Sequence, residues 1–129
     1  MQIDSDTVEA LRPWFPDLDL QTVRIVEQGP VCWYVRNVVK QGAMTVAPFV
    51  FFGRDDYDPT KLGSIALVAH ELKHIEQYRA LGHARFLAQY LADLARNRFH
   101  YSRDLPLEAP AYKLQDEVRE ALRWKWPLQ

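Results

Sequence analysis

The sequence has very little cysteine: Cys32 is the single thiol among 129 residues. One cysteine cannot form a disulfide within the chain, so a disulfide-stapled fold is excluded. We predict that Cys32 is a buried small hydrophobic residue rather than a nucleophile, because the sequence assigns no base near it. A hydrophobic core must then hold the fold, and the length suits a single minimal domain over residues 1–129.

The chain also lacks an excess of charge of either sign. Its formal net charge is −1, so we expect no attraction to nucleic acid or to an anionic membrane. No apolar run reaches membrane-spanning length, and the opening MQIDSDTVEA has no basic segment followed by an apolar one. We therefore expect a cytoplasmic protein, while export by a route without a cleaved signal stays open.

The most informative stretch that the sequence does contain is residues 70–74, HELKH, which fits the pattern H-E-x-x-H. Residues four apart in an α-helix lie one above the other, so His70 and His74 can direct two imidazoles to one metal ion. Glu71 is the candidate general base, placed to take a proton from a metal-bound water. Two histidines do not complete a catalytic zinc site, so a third ligand must come from elsewhere in the chain.

Two residues compete for the place of third ligand. His83 follows His74 by nine residues, directly after Gly82, but the usual H-E-x-x-H-x-x-G-x-x-H has its glycine three and its third histidine six residues after the second histidine. Glu108 comes much later, at the expected first turn of the last helix, where backbone N–H groups and the helix dipole favour an ionised carboxylate. We favour Glu108, because a glutamate on a separate helix completes the His₂Glu type of zinc site.

Hydrophobic periodicity predicts an α+β fold, with a small, mostly antiparallel sheet packed on a main active-site helix and two further C-terminal helices. The predicted elements are a short helix capped by Ser5 or Asp6, a strand over 20–27, a helix favoured over a strand for 31–40, a hairpin or bent strand over 43–53 with Pro48 near its turn, and helices over 60–80, over 83–98 and from about residue 108 onward.

Capping and packing predictions refine the helical part. The main helix is expected to begin with Asp58 at its N-cap and Pro59 in its first turn, and to end before Gly82. Trp124 and Trp126 are expected to be packing anchors. The helix over 83–98 is expected to bury one stripe of six residues. These are Phe86, Leu87, Tyr90, Leu91, Leu94 and Ala95.

The chain resembles gluzincin-type zinc peptidases, and it looks closest to their minimal forms, the minigluzincins, and to small H-E-x-x-H domains of bacterial proteins. The matching segments are 49–52 (FVFF), 57–59 (YDP), 68–78 (VAHELKHIEQY) and 106–112 (PLEAPAY), the last similar to P-x-E-x-x-A-Y. The resemblance covers about residues 43–122. It implies zinc held by His70, His74 and Glu108, with Glu71 as general base and acid.

Three positions depart from the gluzincin pattern. Lys73 and Glu76 are charged where the motif is commonly uncharged or apolar, and Tyr112 stands where many gluzincins have an acid that orients a ligand histidine. Asp116 or Glu117 is a candidate for that orienting role.

The function expected from these residues is zinc-dependent hydrolysis of peptide bonds in a peptide or protein substrate, by a metal-activated water. Tyr101 is the favoured donor to the oxyanion, ahead of His100 and Tyr112. The strand around residues 46–52 is a candidate edge for pairing with an extended peptide. Two alternatives remain: a catalytically silent zincin-like module that binds a peptide or protein partner, and a metal that only staples the last helix to the main one. The oligomeric state is not predicted.

Overall fold

The computed structural model describes residues 1–54 and 56–125, and it confirms the predicted α+β class. Its elements are α1 (Ser5–Leu11), β1 (Arg24–Val26), α2 (Pro30–Tyr34), β2 (Ala43–Val46), β3 (Phe49–Phe52), α3 (Leu62–Leu81), α4 (His83–Arg96) and α5 (Glu108–Ala121), with 3₁₀ turns at Arg12–Trp14 and Leu20–Thr22 and a π-helical turn at Val35–Val39 that continues α2. Within the described ranges, no helix combines the length and apolarity needed to cross a membrane.

The three strands form one sheet in the order β1-β3-β2. β2 and β3 are the predicted antiparallel hairpin, joined through Ala47 and Pro48. β1 pairs with β3 in parallel, so the small sheet is mixed. Because β1 and β2 flank β3 on its two sides, β3 is the central strand. The edges of this sheet are therefore β1 and β2, and most of the stretch 46–52 that the sequence suggested as an edge is the central strand; β2 is the edge strand that contacts α3. The strand expected over 20–27 is shorter, because a 3₁₀ turn occupies its first residues.

The main helix, α3, begins later than its capping residues predicted. Asp58 is not its N-cap: the Asp58 carboxylate accepts hydrogen bonds from the backbone N–H and the hydroxyl of Thr60, at 3.0 and 2.6 Å. These bonds close a local turn before the helix, and Lys61 occupies the N-cap position instead. The end was predicted correctly, because Gly82 terminates α3 with a φ of +81°, a conformation that favours glycine.

The hydrophobic core lies between α1, the sheet, α3 and the C-terminal end of α5. Its largest fully buried side chains come from all these regions and include Leu11, Phe15, Val50, Phe52, Ile65, Leu72 and Val118. The cap of α1 is Asp4, whose side chain accepts a hydrogen bond from the backbone N–H of Thr7; the predicted caps, Ser5 and Asp6, already belong to the helix. Since α3 is covered on most sides, it is a rigid base for side chains that project from it.

The first of the two C-terminal helices, α4, contacts the body through only part of its apolar face. Phe86 is buried and stacks on Tyr78 of α3, with ring centroids 3.8 Å apart. The rest of the predicted stripe is not buried: Leu87 is 45% exposed and Leu91 is 60% exposed. The burial prediction for α4 was therefore wrong, because most of its apolar face borders a cleft or solvent.

Two predictions about single side chains have different outcomes. Cys32 is buried, and its thiol donates a hydrogen bond to the carbonyl of Val26 over 3.2 Å, as expected for a small core residue. Trp124 is 76% exposed, so it does not anchor the last helix. Trp126 lies outside the described residues.

Candidate metal centre

The structure brings together the three residues that the sequence selected as metal ligands. The Nε2 atoms of His70 and His74, one turn apart on α3, each lie 3.0 Å from the same oxygen, Oε1 of Glu108 at the start of α5. All three side chains are at least nine-tenths buried, with relative exposures of 4%, 5% and 5%. This buried group of His70, His74 and Glu108, called the metal group below, is placed to hold a metal ion.

The spacing of the donor atoms fits a small cation. Ligand atoms 2.0–2.1 Å from one tetrahedral ion are separated by about 3.3–3.4 Å. The 3.0 Å separations between Glu108 and the two imidazoles are a few tenths of an ångström shorter, so a small expansion would admit the ion. Two nitrogen donors and one carboxylate oxygen suit a borderline cation such as Zn²⁺ better than Ca²⁺ or Mg²⁺, which prefer oxygen ligands throughout.

Two glutamines orient the histidines. Oε1 of Gln115 lies 2.9 Å from Nδ1 of His70, and Oε1 of Gln77 lies 2.9 Å from Nδ1 of His74. The Gln77 amide also donates to the carbonyl of Leu107 over 3.0 Å, which requires its oxygen to face the imidazole. An Nδ1 that carries the proton leaves Nε2 as the metal-facing atom of each ring.

These glutamines replace the acids that the sequence comparison suggested. Asp116 pairs instead with Arg103 across 3.3 Å on the surface, and Glu117 is exposed. Spacing alone could have identified Gln77, which follows His74 by one helical turn. Gln115 follows Glu108 by two turns of α5, so it shares the face that carries the glutamate.

The glutamine contacts predict a measurable loss of metal affinity. We expect Gln115→Ala and Gln77→Ala each to weaken zinc binding by about 10- to 100-fold, because the imidazole loses the acceptor that holds its orientation. Competition with a chromophoric chelator measures the change. Gln89→Ala, on the exposed surface of α4, is the matched control and should leave the affinity unchanged. Equal affinities in all three variants would contradict the orienting role.

The second oxygen of Glu108 is held by a residue that sequence reasoning assigned only to packing. Tyr90 of α4 donates its hydroxyl to Oε2 of Glu108 over 2.6 Å. Burial opposes ionisation of Glu108, but hydrogen bonds from His70, His74 and Tyr90 hold the pKa of its carboxyl well below its usual range. Glu108 is therefore an anion at neutral pH, and it joins α3, α4 and α5 at one point.

Glu71 lies beside this group and is held by the edge strand. The hydroxyl of Thr45 on β2 donates to Oε1 of Glu71 over 2.9 Å. The other oxygen, Oε2, lies 3.6 Å from Nε2 of His70, on the side where a metal ion would sit. One carboxylate oxygen is thus engaged by the strand while the second faces the candidate metal position.

The unusual residues of the motif have plain structural roles. Lys73 and Glu76 form an ion pair with each other, with Nζ 2.9 Å from Oε1 on the outer face of α3. Tyr112 packs its ring edge-on against His70 with centroids 4.4 Å apart. His83 does not belong to the group that could hold a metal ion, because its Nε2 donates to the carbonyl of Ala47 over 2.8 Å.

The predicted oxyanion donor, Tyr101, lies on the wall of the same cleft. Its hydroxyl forms a short hydrogen bond with the hydroxyl of Tyr112. Burial and this hydrogen bond raise the pKa of Tyr101 above its ordinary value.

A cleft of about 510 Å³ opens over the metal group. α3 forms its floor and carries the two histidines and Glu71. β2 forms one wall, and α4 with the segment around Phe99 and Tyr101 forms the other. α5 closes one end with Glu108, Tyr112 and Gln115. The candidate metal ligands and Glu71 therefore line one shared cleft.

The metal-free group predicts a pH dependence of stability. Burial alone would lower the pKa of His74, but its hydrogen bond to Glu108 and the charge of Glu71 raise it to about 8, from 6.5. A raised pKa stabilises the fold fully below pH 6.5, and the stabilisation is lost as the pH rises through 8.

We therefore expect the free energy of unfolding of chelator-treated protein to fall by about 2 kcal/mol between pH 6 and pH 8.5. Urea unfolding at the two pH values measures it, and His74→Gln should remove most of the difference while His83→Ala keeps it. Metal binding requires a neutral imidazole, so zinc affinity should rise over the same range. If the free energy of unfolding of the metal-free protein increased from pH 6 to pH 8.5, the ion pair between His74 and Glu108 would be contradicted.

Comparison with protein families gives one match. The family model of the eCIS core domain matches residues 2–82, which is more than half of the chain. The chain belongs to the eCIS core domain family. Comparison with curated proteins and with solved structures finds no match. The family model covers the chain from α1 to the end of α3. The match therefore includes His70, His74 and Glu71.

Proposed function

We propose that this eCIS core domain is a zinc-dependent metallopeptidase of gluzincin type, which hydrolyses peptide bonds. One observation carries the proposal. A single carboxylate oxygen of Glu108 lies 3.0 Å from the Nε2 atoms of both motif histidines, with Glu71 beside them at the base of an open cleft. Three protein ligands leave a fourth position for water, as in catalytic rather than closed structural zinc sites.

Zinc, when bound there, would supply a water of near-neutral pKa and polarise a substrate carbonyl. The chain's own residues supply the proton transfers. Glu71 accepts the proton of the attacking water at Oε2, while Thr45 holds its Oε1. Glu71 then delivers this proton to the leaving amine, so one carboxylate acts as base and as acid.

Tyr101 is the proposed donor to the oxyanion that forms during attack. It lines the cleft, and its phenol is a proton donor at neutral pH, since burial moves its pKa further above the ordinary value. Tyr112, bonded to Tyr101 through their hydroxyls and packed on His70, sets the distance between this donor and the metal group. A donor aimed at the developing charge contributes to catalysis more than one aimed at the neutral carbonyl.

The test combines metal content with activity. Protein purified without chelator is expected to contain one zinc per chain by inductively coupled plasma mass spectrometry. It should cleave members of a quenched-fluorescent peptide library, lose this activity on chelation and regain it with added zinc. Absence of stoichiometric metal would refute the site assignment, and stoichiometric zinc without cleavage would refute the peptidase.

A structural role of zinc is the second candidate, and the position of Glu108 favours it. This carboxylate links α3, α4 and α5, so a metal bound there would staple three helices together in a binding module without turnover. Under this alternative, zinc raises the melting temperature while Glu71→Gln changes neither stability nor any cleavage of peptides.

A further inference from the structure

The cleft has an apolar lining that the metal chemistry itself does not require. Apart from the metal ligands and Glu71, none of its described lining residues is a lysine, arginine, aspartate or glutamate. Its walls are formed largely by aliphatic and aromatic side chains from β2, α3, α4 and their neighbouring segments. Among them are Val39, Met44, Val46, Leu67, Leu87 and Phe99.

The edge of β2 turns backbone hydrogen-bonding groups toward this cleft. The backbone N–H of Gly53 donates to the carbonyl of Gly42 over 2.8 Å, which makes these two residues a hydrogen-bonded pair of the hairpin. In an antiparallel ladder such pairs alternate, so the backbone groups of Ala43 and Thr45 point away from β3. The hydroxyl of Tyr78 reaches the carbonyl of Thr45 from that side over 3.1 Å, which confirms the direction.

We infer that the cleft binds the interior of an extended, uncharged polypeptide segment with bulky apolar side chains, held between β2 and α4. The inference rests on the proposed peptidase function and names its class of substrate. Main-chain hydrogen bonds to the edge of β2 contribute affinity that does not depend on the peptide sequence. The apolar wall contributes the preference for apolar side chains.

Charge explains why an interior segment suits this cleft better than a chain terminus. A terminal carboxylate or amine buried here would need an opposite charge to replace its hydration. The described lining residues include no lysine or arginine, and the two carboxylates are engaged: Glu108 by the histidines and Tyr90, and Glu71 by Thr45. A bound divalent cation would be balanced by these same two carboxylates, which leaves the site without net charge.

Two exposed leucines of α4 allow the expected preference for apolar peptides to be tested at single residues. Leu87 lines the cleft and is 45% exposed, so a bound apolar side chain can cover it. Leu91, one turn later and 60% exposed, does not line the cleft. The two positions form a matched pair on one helix, and a lysine at either one costs little core packing.

The test measures binding in the absence of turnover, with the zinc-loaded 129-residue wild-type chain and peptides whose central peptide bond is replaced by a non-hydrolysable ketomethylene group. Three short peptides are titrated by calorimetry: one acetylated and amidated with a central Leu-Phe pair, one identical but with a central Lys-Asp pair, and one with Leu-Phe and free termini. The blocked apolar peptide should bind at least about tenfold more tightly than the blocked charged one. Free termini should give no gain in affinity.

Adding Leu87→Lys to this protein should weaken binding of the apolar peptide by about tenfold, whereas adding Leu91→Lys should leave it unchanged. Equal binding of the apolar and charged peptides, tighter binding with free termini, equal effects of the two lysines, or no binding at all would overturn the inference. So would self-association of the protein through this face, detected by sedimentation velocity and lost in Leu87→Lys. Apolar-selective binding together with no hydrolysis by wild type would refute the peptidase and leave the binding preference standing.

Discussion

Glu71→Gln is expected to abolish most hydrolysis while leaving zinc bound. Replacing the carboxylate by an amide removes the base that accepts the water proton, and general base catalysis of this kind accounts for about 10²- to 10⁴-fold in rate. The amide keeps the size of the side chain and can still accept the hydrogen bond from Thr45 through its oxygen. The fold and the metal group should therefore be retained, and the loss should appear in kcat.

The control for this variant is Glu76→Gln, which removes a carboxylate from the outer face of the same helix. Glu76 is paired with Lys73 away from the cleft, so kcat/KM should change little. Steady-state kinetics on a cleaved library peptide, with zinc content measured on the same samples, separates the two cases. A Glu71→Gln protein that retains near wild-type kcat with full zinc would remove Glu71 from the mechanism.

Glu108→Ala is expected to weaken zinc binding by more than about 100-fold, which exceeds the effect of removing an orienting residue because a ligand itself is lost. The substitution also leaves the hydroxyl of Tyr90 and the two buried imidazoles without their shared acceptor. Some loss of stability should accompany it, since buried polar groups that lose their partners are costly.

A second variant keeps this prediction about zinc affinity separate from unfolding. Glu108→Gln preserves the shape and can retain the bond to Tyr90, so it should fold and still bind zinc poorly. His83→Ala is the control, because His83 bonds to the carbonyl of Ala47 and not to the metal group. Circular dichroism checks folding, and chelator competition gives the affinities. Zinc loss on His83→Ala, with retention on either Glu108 variant, would reverse the assignment of the third ligand.

Local rules in the sequence were sufficient to predict that His70, His74 and Glu108 lie together. The separation of His70 and His74 places them on one helical face whatever the rest of the chain does. Glu108 was identifiable because an ionised glutamate in a first helical turn has a physical reason to be there. The same kind of local signal predicted the hairpin around Pro48 and the end of α3 at Gly82 correctly.

The errors came from features that depend on neighbours in space. The periodicity of α4 shows that one face is apolar, but it does not show whether another element covers that face, and Leu87 and Leu91 are exposed. The edge strand was misplaced because β1 joins the far side of β3, a pairing that no spacing in the sequence reveals. Asp58 has good capping chemistry, yet it closes a separate turn with Thr60.

The oxygen that Glu108 shares between His70 and His74 has a practical consequence for where this domain is cut. The family match ends at residue 82, before α4 and α5. A fragment that stopped there would keep both imidazoles and Glu71, but it would lose the carboxylate that the imidazoles face and the tyrosine that holds it. The helices beyond the match thus contribute Glu108, Tyr90 and Gln115 to the candidate metal centre, and the smallest fragment worth expressing extends through α5.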